Sequence, residues 1–276
     1  MNKIIVFSDL DGTLLDARTY SFEAALPSIT HLREHNIPLV LCSSKTRSEI
    51  ESYRLALGNQ HPFVSENGGA LFIPQGYFAR NLSPSGFRVA HTAHYDIVTL
   101  GTPYGVLRAA LQALREEGLP VKGFGDMSAQ EVAALTNLSV QEARMAKERD
   151  FDEPFVFEGD DAEIERIGAF IQSRGLAVTR GRFFHILGNN DKGMAVSILN
   201  DLYKKEFGEI LTAAVGDNPN DLPMLQNVDM PFIVQKPDGS YDPLLDLPGI
   251  TRADAIGPKG WNAAIEQLLS ISRPSG

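Results

Sequence analysis

The sequence predicts an α/β fold: a doubly wound, mostly parallel, Rossmann-like sheet core with a smaller inserted α/β domain, the cap. Strand and helix segments alternate over residues 3–73 and again over 192–269, the pattern of β–α–β units with right-handed crossovers. Continuous apolar runs such as 3–7 and 210–215 are typical of parallel strands buried on both faces. After Pro74 the alternation stops and glycine, proline, serine and aromatic residues become frequent, which indicates an insertion.

Each predicted element follows from a local signal. Before Pro74, apolar runs bounded by turn residues predict strands, and apolar residues at helical spacing predict helices: strands 3–9, 38–42, 63–65 and 70–73, and helices 22–35 and 45–57. The same signals beyond Pro74 predict helices 104–117, 129–135, 140–149, 161–174, 192–207 and 261–269, with strands 154–158, 176–179, 182–187, 210–215 and 232–234. We therefore divide the chain into a core of residues 1–82 and 188–276 and a cap of residues 83–187.

Composition limits the function. The chain has 276 residues, 43% of them hydrophobic and 22% charged, with a net charge of −10, which argues against general binding to nucleic acid or to anionic membranes. The single cysteine, Cys42, excludes an intramolecular disulfide and a cysteine-based zinc site, and its apolar surroundings predict a buried thiol. We see neither a signal peptide nor an apolar run of membrane-spanning length, so we expect a cytoplasmic protein.

Two aspartates follow the first strand. Asp9 and Asp11 stand at its carboxyl end, beside Gly12 and the hydroxyl of Thr13. Charge at the exit of a buried strand is costly unless something uses it, and open α/β sheets place their active sites at this edge. A lone Asp-Gly would indicate an ordinary turn, but the whole pattern Asp-x-Asp-Gly-Thr-Leu favours a functional site.

A second pair of aspartates follows the strand at 210–215. Asp217 comes directly after Gly216, and Asp221 follows four residues later, where a carboxylate could also cap a short helix. Mg²⁺ prefers hard oxygen ligands. We therefore predict a magnesium site formed by Asp9, Asp217 and the backbone carbonyl of Asp11, with Asp221 or Asn218 helping directly or through water.

Two further segments suit an anionic ligand. Lys192 lies in the first turn of a predicted helix, which the helix dipole disfavours, and Asp191 is the predicted N-cap. Lys192 is either a solvated surface lysine or a counter-charge for phosphate and carboxylate. Ser43 and Ser44 stand between a strand and a helix, where they either cap the helix or bind a phosphoryl oxygen.

Together these segments resemble the four motifs of the haloacid dehalogenase-like phosphatase superfamily, in order along the chain, with an insert like that of the Cof-type branch. The resemblance implies that Asp9 attacks phosphorus and that Asp11 acts as acid and base. It also implies which residues bind the phosphate. With the metal ligands named above, the predicted site contains catalytic Asp9, Asp11 and Lys192, phosphate-binding Ser43, Ser44, Gly12, Thr13 and Lys192, and metal-binding Asp9, Asp11, Asp217 and Asp221.

Two cap segments and one turn narrow the resemblance. Residues 148–155, 180–185 and 65–69 look like those of the mannosyl-3-phosphoglycerate phosphatase family. This likeness implies a cap that recognises the glycerate carboxylate and the sugar hydroxyls of a small anionic sugar phosphate. Our candidate substrate-binding residues are Arg180, Arg182, His185, Glu153 and Asn67. For His185 alone, a structural role is the ordinary expectation for a histidine on a strand.

Three alternatives stay open. A glucosyl-3-phosphoglycerate phosphatase would differ by one sugar epimer. A phosphomannomutase-like phosphotransferase shares the first motif but would keep the phosphoryl group from water. A non-catalytic sugar-phosphate sensor would have no need of nucleophile and acid together. The sequence does not indicate an oligomeric state.

Overall fold

The computed structural model describes residues 2–79 and 87–271. In chain order the strands are β1 (Lys3–Ser8), β2 (Leu39–Cys42), β3 (Phe63–Ser65), β4 (Ala70–Pro74), β5 (Val89–His91), β6 (Tyr95–Thr99), β7 (Val121–Gly123), β8 (Asp152–Phe157), β9 (Ala177–Arg180), β10 (Phe184–Leu187), β11 (Ile210–Gly216), β12 (Met230–Gln235) and β13 (Thr251–Ile256). The α-helices are α1 (Leu26–Glu34), α2 (Arg47–Leu57), α3 (Tyr104–Glu116), α4 (Ala129–Thr136), α5 (Val140–Ala146), α6 (Asp161–Gln172), α7 (Lys192–Phe207), α8 (Leu222–Leu225) and α9 (Gly257–Ile271).

The larger sheet has nine strands in the order β13-β12-β11-β1-β2-β3-β4-β6-β5. Its first six strands run parallel, and β4, β6 and β5 continue it as an antiparallel edge. Because the strand order reverses direction beside β1, the carboxyl ends of β1, β2 and β11 meet at a switch point, where such sheets bind ligands. The predicted α/β class and the mostly parallel sheet are confirmed.

Two strands, β5 and β6, form where the sequence predicts none. β5 and β6 pair with β4 in the larger sheet, although residues 83–187 had been assigned to the cap. The assigned boundary at 82/83 lies outside the described residues, and the pairing favours one near residue 100. Strands β7 and β13 were also not predicted, because β7 has only three residues and β13 is mostly exposed or half-buried, without a clear apolar run.

Both faces of the larger sheet are covered by apolar clusters. One contains Leu10, Leu32 and Trp261, and the other contains Phe7 and Tyr203, all of them buried. Each such side chain contributes on the order of 1.5–3 kcal/mol when it leaves water. Cys42 is in the second cluster and fully buried, as predicted.

The smaller sheet, β7-β8-β10-β9, is antiparallel and lies within the inserted segment. Helices α3 and α6 cover one side through an apolar cluster with Leu111, Ile171 and Phe155. A second cluster with Phe124 and Val132 joins α4 and α5 to the rest of the cap. Over the described ranges, none of the helices is long and apolar enough to cross a membrane.

Candidate active site

Three carboxylates meet where β1 and β11 end. One oxygen each of Asp9, Asp217 and Asp221 lies within 4.8 Å of the others, and all three side chains are buried. Asp9 follows β1, and its backbone carbonyl accepts a hydrogen bond of 2.7 Å from Ser8, whose hydroxyl in turn accepts one of 2.9 Å from Trp261. Packing of α9 therefore fixes the exit of β1.

Lys192 lies inside this group. Its ammonium donates to Asp9 Oδ1 at 2.5 Å and to Asp221 Oδ1 at 2.6 Å, and the residue is fully buried. Although burial lowers the pKa of an ammonium, Asp221 and Asp9 raise the pKa of Lys192 above its ordinary value. The alternative of a surface lysine is excluded. Asp191 caps α7 through Met194 N–H at 2.7 Å, as predicted.

Asp217 is held by the turn that follows β1. Thr13 donates its hydroxyl to Asp217 Oδ1 at 2.8 Å, and Asn218 donates its amide to Oδ2 at 2.6 Å. Gly12 has a φ of +82°, and a Cβ there would meet Asp217 Oδ2 at 2.8 Å, so only glycine fits. Thus Gly12 and Thr13, which we expected at the phosphate, contact Asp217 in this structure.

Asp221 differs from the other two aspartates because it binds both the ammonium of Lys192 and two backbone N–H groups. Oδ1 faces Lys192, while Oδ2 accepts the backbone N–H groups of Asp217 and Asn218 at 3.0 and 3.1 Å. A carboxylate bonded in this way is suited to shaping the loop after β11. Its place in the metal set stays a prediction, since one of its oxygens lies within 4.8 Å of those of Asp9 and Asp217.

The residues present fit a hard divalent cation. Burial, followed by the charge of Asp221, raises the pKa of Asp9 to about 7 even though Lys192 opposes the shift. Burial and the neighbouring carboxylates of Asp221 and Asp9 raise the pKa of Asp217 well above its ordinary value. Grouped oxygen donors with excess negative charge are the kind of site that Mg²⁺ occupies.

Asp11 points away from the carboxylate cluster. Its Oδ1 lies 3.0 Å from the ammonium of Lys45, which is also 3.4 Å from Glu49 Oε1. Lys45 is buried against the ring of Tyr20, with 4.9 Å from Nζ to the ring centroid. Asp11 keeps about a third of its side chain exposed and lines the cleft described below. Lys45 was not among the predicted site residues, although it follows the predicted Ser43 and Ser44.

The two serines lie at the end of β2. The hydroxyl of Ser43 is fully buried and accepts the N–H of Lys45 at 3.2 Å, while Ser44 is half-buried and lines the cleft. Neither caps the next helix: α2 is capped by Thr46, which accepts the N–H of Glu49 in a capping box. The alternative that these serines cap the helix is therefore wrong, and their hydroxyls lie near the end of β2.

A cleft between the core and the cap contains Asp9 and Asp11. It encloses about 650 Å³ of empty space, part of it open to solvent. The core side is lined by Asp9, Asp11, Tyr20, Ser44, Lys45, Glu49, Asn218 and Asn220, and the cap side by Phe124, Thr136, Leu138, Ala146, Arg149, Pro154, Gly181, Arg182, Phe183 and His185.

Hydrogen bonds join the two sides of this cleft. Tyr20 donates its hydroxyl to Thr136 O at 2.9 Å and accepts from Arg182 at 2.8 Å. Arg149 donates to Ser44 O at 2.8 Å. The cap is therefore closed over the carboxylates.

The predicted substrate-binding residues divide into two groups. Arg182 and His185 line the cleft. Arg180 lies over the ring of Phe184, 4.9 Å from its centroid, and is not in the lining. Glu153 is buried in the cap and pairs with Arg108 at 2.8 Å, also away from the cleft.

The position of Glu153 has a simple cause. β8 begins at Asp152, two residues before the predicted start, so alternation along the strand turns Asp152 and Pro154 toward one face and Glu153 toward the other. Asp152 binds His185 at 2.7 Å, and Pro154 lines the cleft.

Asn67 lies in the turn after β3, with a φ of +54°. Its amide donates to Asp152 at 2.7 Å and accepts from Asn220 at 3.1 Å. Asn67 is therefore buried behind the cleft and supports other residues. Asp152 and Arg149 were missed because the sequence signal, a dense charged run at 148–153, does not say which side chains face inward. Asn220 was missed because the segment after β11 drew attention to Asp217, Asn218 and Asp221.

Comparisons with known proteins show which family the chain resembles. A family model described as haloacid dehalogenase-like hydrolase matches residues 6–95. A glucosyl-3-phosphoglycerate/mannosyl-3-phosphoglycerate phosphatase from Methanococcoides burtonii is 46% identical over 269 residues, covering 97% of each chain. A mannosyl-3-phosphoglycerate phosphatase from Pyrococcus horikoshii is 36% identical, covering 83% of this chain and 90% of that protein.

Solved structures share the fold. Protein 0175 of Thermoplasma acidophilum superposes with a TM-score of 0.69 at 19% identity, covering 98% of this chain and 99% of that one. BT1666 of Bacteroides thetaiotaomicron, described as a phosphatase of the HAD superfamily, has a TM-score of 0.63 at 17% identity and covers 98% and 95%. The resemblance inferred from four dispersed motifs is confirmed. Since a relative 46% identical matches nearly its whole length, the chain belongs to the haloacid dehalogenase-like hydrolase family.

Proposed function

We propose that this protein hydrolyses the phosphomonoester of glucosyl- and mannosyl-3-phosphoglycerate, releasing inorganic phosphate and the glycosylglycerate. One observation carries the proposal: side chains from dispersed segments, Asp9, Lys192, Asp217 and Asp221, converge at one sheet edge beneath a closed cleft. Relatives matching almost the whole chain are named as phosphatases of these two esters.

Asp9 is the proposed nucleophile. One of its oxygens attacks phosphorus, the bond from phosphorus to the glycerate oxygen breaks, and an aspartyl phosphate forms. Lys192, which donates to Asp9 Oδ1, holds that carboxylate in a single orientation and offsets charge at the phosphoryl group. Once ionised, a carboxylate needs no activating base, and bound Mg²⁺ would favour the ionised form of Asp9.

Asp11 is the proposed proton carrier. It gives a proton to the departing glycerate oxygen and then takes one from the water that attacks the aspartyl phosphate, so that phosphate leaves and Asp9 is regenerated. Its position suits this role because its carboxyl lines the cleft and is partly exposed, within reach of a bound ester and of water. Ser43 and Ser44 are the proposed partners of the phosphoryl oxygens.

Asp9 and Asp217 are the proposed side-chain ligands of Mg²⁺, with the backbone carbonyl of Asp11, and Asp221 holds the loop. Mg²⁺ bound there supplies the positive charge that lets the anionic phosphate approach an anionic nucleophile. Lys45, Arg149 and Arg182 add positive charge around the cleft. This matches a substrate that carries a carboxylate beside its phosphate.

The test is a phosphate-release screen with purified protein, Mg²⁺ and a matched series in EDTA. The substrates are the two glycosyl-3-phosphoglycerates, simple hexose phosphates and para-nitrophenyl phosphate. We expect Mg²⁺-dependent release with the highest kcat/KM on the glycosyl esters. Preference for a hexose phosphate would contradict the substrate, and binding without release of phosphate from any ester would contradict hydrolysis itself.

A further inference from the structure

A buried carboxylate in the cap, Asp152, is not explained by the chemistry above. Asp152 is fully buried, yet both of its oxygens have partners: His185 Nδ1 lies 2.7 Å from Oδ1, and the amide of Asn67 donates to Oδ2 at 2.7 Å. Arg149 is 3.8 Å away. Burial alone would raise the pKa of Asp152, but His185, Arg149 and Asn67 bring it below its ordinary value.

The hydrogen bonds around this carboxylate have a defined direction. A carboxylate only accepts, so His185 must carry a proton on Nδ1, which in the neutral imidazole leaves Nε2 as an acceptor, and Asn67 must turn its NH₂ group toward Asp152. The carbonyl oxygen of the Asn67 amide then faces Asn220, which donates its own NH₂ to it at 3.1 Å. One buried charge thus fixes an imidazole tautomer and two amide orientations.

Both ends of this chain present an acceptor at the cleft. His185 and Asn220 both line it. Within the described ranges, Nε2 of His185 has no hydrogen-bond partner, and Oδ1 of Asn220 is a buried acceptor that is also without one. The cations around the cleft serve anionic groups, whereas a polyol brings hydroxyl donors that need acceptors such as these.

We propose that Asp152 is a positioning residue that orients two hydrogen-bond acceptors, His185 Nε2 and Asn220 Oδ1, toward hydroxyl groups of a polyol leaving group. The inference rests on the proposed function, since it assigns part of the same cleft to the sugar of the substrate. It also links the cap to the loop after β11, because Asn67 bridges Asp152 and Asn220.

Asp152→Asn is the direct test. An amide cannot accept from both His185 and Asn67, so one of the two hydrogen bonds must be lost or His185 must change tautomer. We expect kcat/KM on glycosyl-3-phosphoglycerates to fall about 30-fold, mainly through KM. On para-nitrophenyl phosphate, which lacks hydroxyls, the change should stay below about 3-fold.

A matched control removes another cap carboxylate. Asp126→Asn acts on a carboxylate that pairs with Arg108 and Arg115, away from the cleft lining, and should change the two substrates equally. The ¹⁵N spectrum of His185 supplies an independent readout: the proton should be on Nδ1 in the wild-type protein. If Asp152→Asn folds poorly, Asn220→Ala tests the same inference, since it removes one acceptor and leaves the carboxylate in place.

The outcomes separate the inference from the proposed function. Wild-type activity on the glycosyl esters, with equal losses on both substrates in Asp152→Asn and Asn220→Ala, would overturn the inference alone. An Nε2-protonated His185 in the wild-type protein would also overturn it. Wild-type activity on the nitrophenyl ester without activity on either glycosyl ester would overturn the proposed function and this inference with it.

Discussion

The carboxylate cluster of the core and the carboxylate of the cap are both buried, but their charges are balanced differently. In the cluster of Asp9, Asp217 and Asp221, one ammonium, Lys192, pairs with Asp9 and Asp221, and the pKa values of Asp9 and Asp217 are raised. Asp152 is surrounded by donors, and its pKa is lowered. The core cluster therefore has excess negative charge and is suited to binding a further cation and a ligand. In the cap, both oxygens of Asp152 already have hydrogen-bond partners, so this residue can orient its neighbours. We expect core variants to affect every substrate and cap variants to affect only some.

Asp9→Asn should have the largest effect. An amide has no charge with which to attack phosphorus, so we expect kcat to fall about 10⁴-fold on all phosphoesters. Thermal unfolding should show an intact fold, because the substitution is isosteric and removes a charge from a crowded acidic cluster. A rate of phosphate release within about 10-fold of wild type would contradict the role of Asp9 as nucleophile. It would also contradict the functional difference between the core and cap carboxylates.

Lys192→Met should lower both activity and stability. Without the ammonium, the carboxylates of Asp9 and Asp221 lose their shared partner. We expect kcat/KM to fall about 10³-fold on every substrate and the free energy of unfolding to fall by roughly 3–5 kcal/mol.

Urea unfolding with and without Mg²⁺ measures the loss of stability, and Mg²⁺ should stabilise the variant more than the wild type. The control is Lys122→Met, which breaks a half-exposed pair with Glu131 and should cost less than about 1 kcal/mol. Equal costs in the two variants would contradict the inferred imbalance of charge in the core.

Glu66 connects the two regions and makes stability depend on pH. It accepts the backbone N–H groups of Asp150 and Phe151, and burial raises its pKa from 4.5 to about 7. The folded state therefore holds this proton more tightly than the unfolded chain, so the stabilisation is complete below about pH 4.5 and is lost as the pH rises through 7.

Glu66→Gln should remove this dependence. Between pH 5 and 8, we expect the wild-type protein to lose about 2–3 kcal/mol of unfolding free energy relative to the variant. Urea titrations of both proteins at the two pH values give this double difference. Parallel pH profiles would mean that the carboxyl group is ionised in the folded protein throughout.

Arg182→Gln should have the smallest effect and the clearest selectivity. Its guanidinium lines the cleft and contacts Tyr20 and Thr136. We expect KM to rise about 10-fold on glycosyl-3-phosphoglycerates and less than about 2-fold on para-nitrophenyl phosphate. Arg174→Gln, at an exposed arginine stacked on Phe170, controls for the loss of charge. Equal increases in KM on both substrates would mean that Arg182 does not contribute to the selectivity of the cap.

The core was predictable because its signals are local. Asp9, Asp217 and Lys192 each follow or begin an element that the apolar pattern defines, and parallel strands place their carboxyl ends together. The cap was less predictable because the direction of its side chains depends on which strand residues alternate inward. β8 starts at Asp152, and the inward residue is Asp152 and not Glu153. Strands β5 and β6 were missed for a related reason, since an antiparallel edge with mixed polar residues has no helical or strand period.

The hydrogen bonds that close the cleft also affect product release. The hydroxyl of Tyr20 bridges the core to Thr136 and Arg182, and Arg149 ties the cap to Ser44. The proposed product, a glycosylglycerate, would leave from the cleft that these contacts close, so we expect them to break in every cycle and re-form before the next. We therefore expect release of the proposed product to require separation of the core from the cap, and the frequency of that separation then sets an upper limit on kcat.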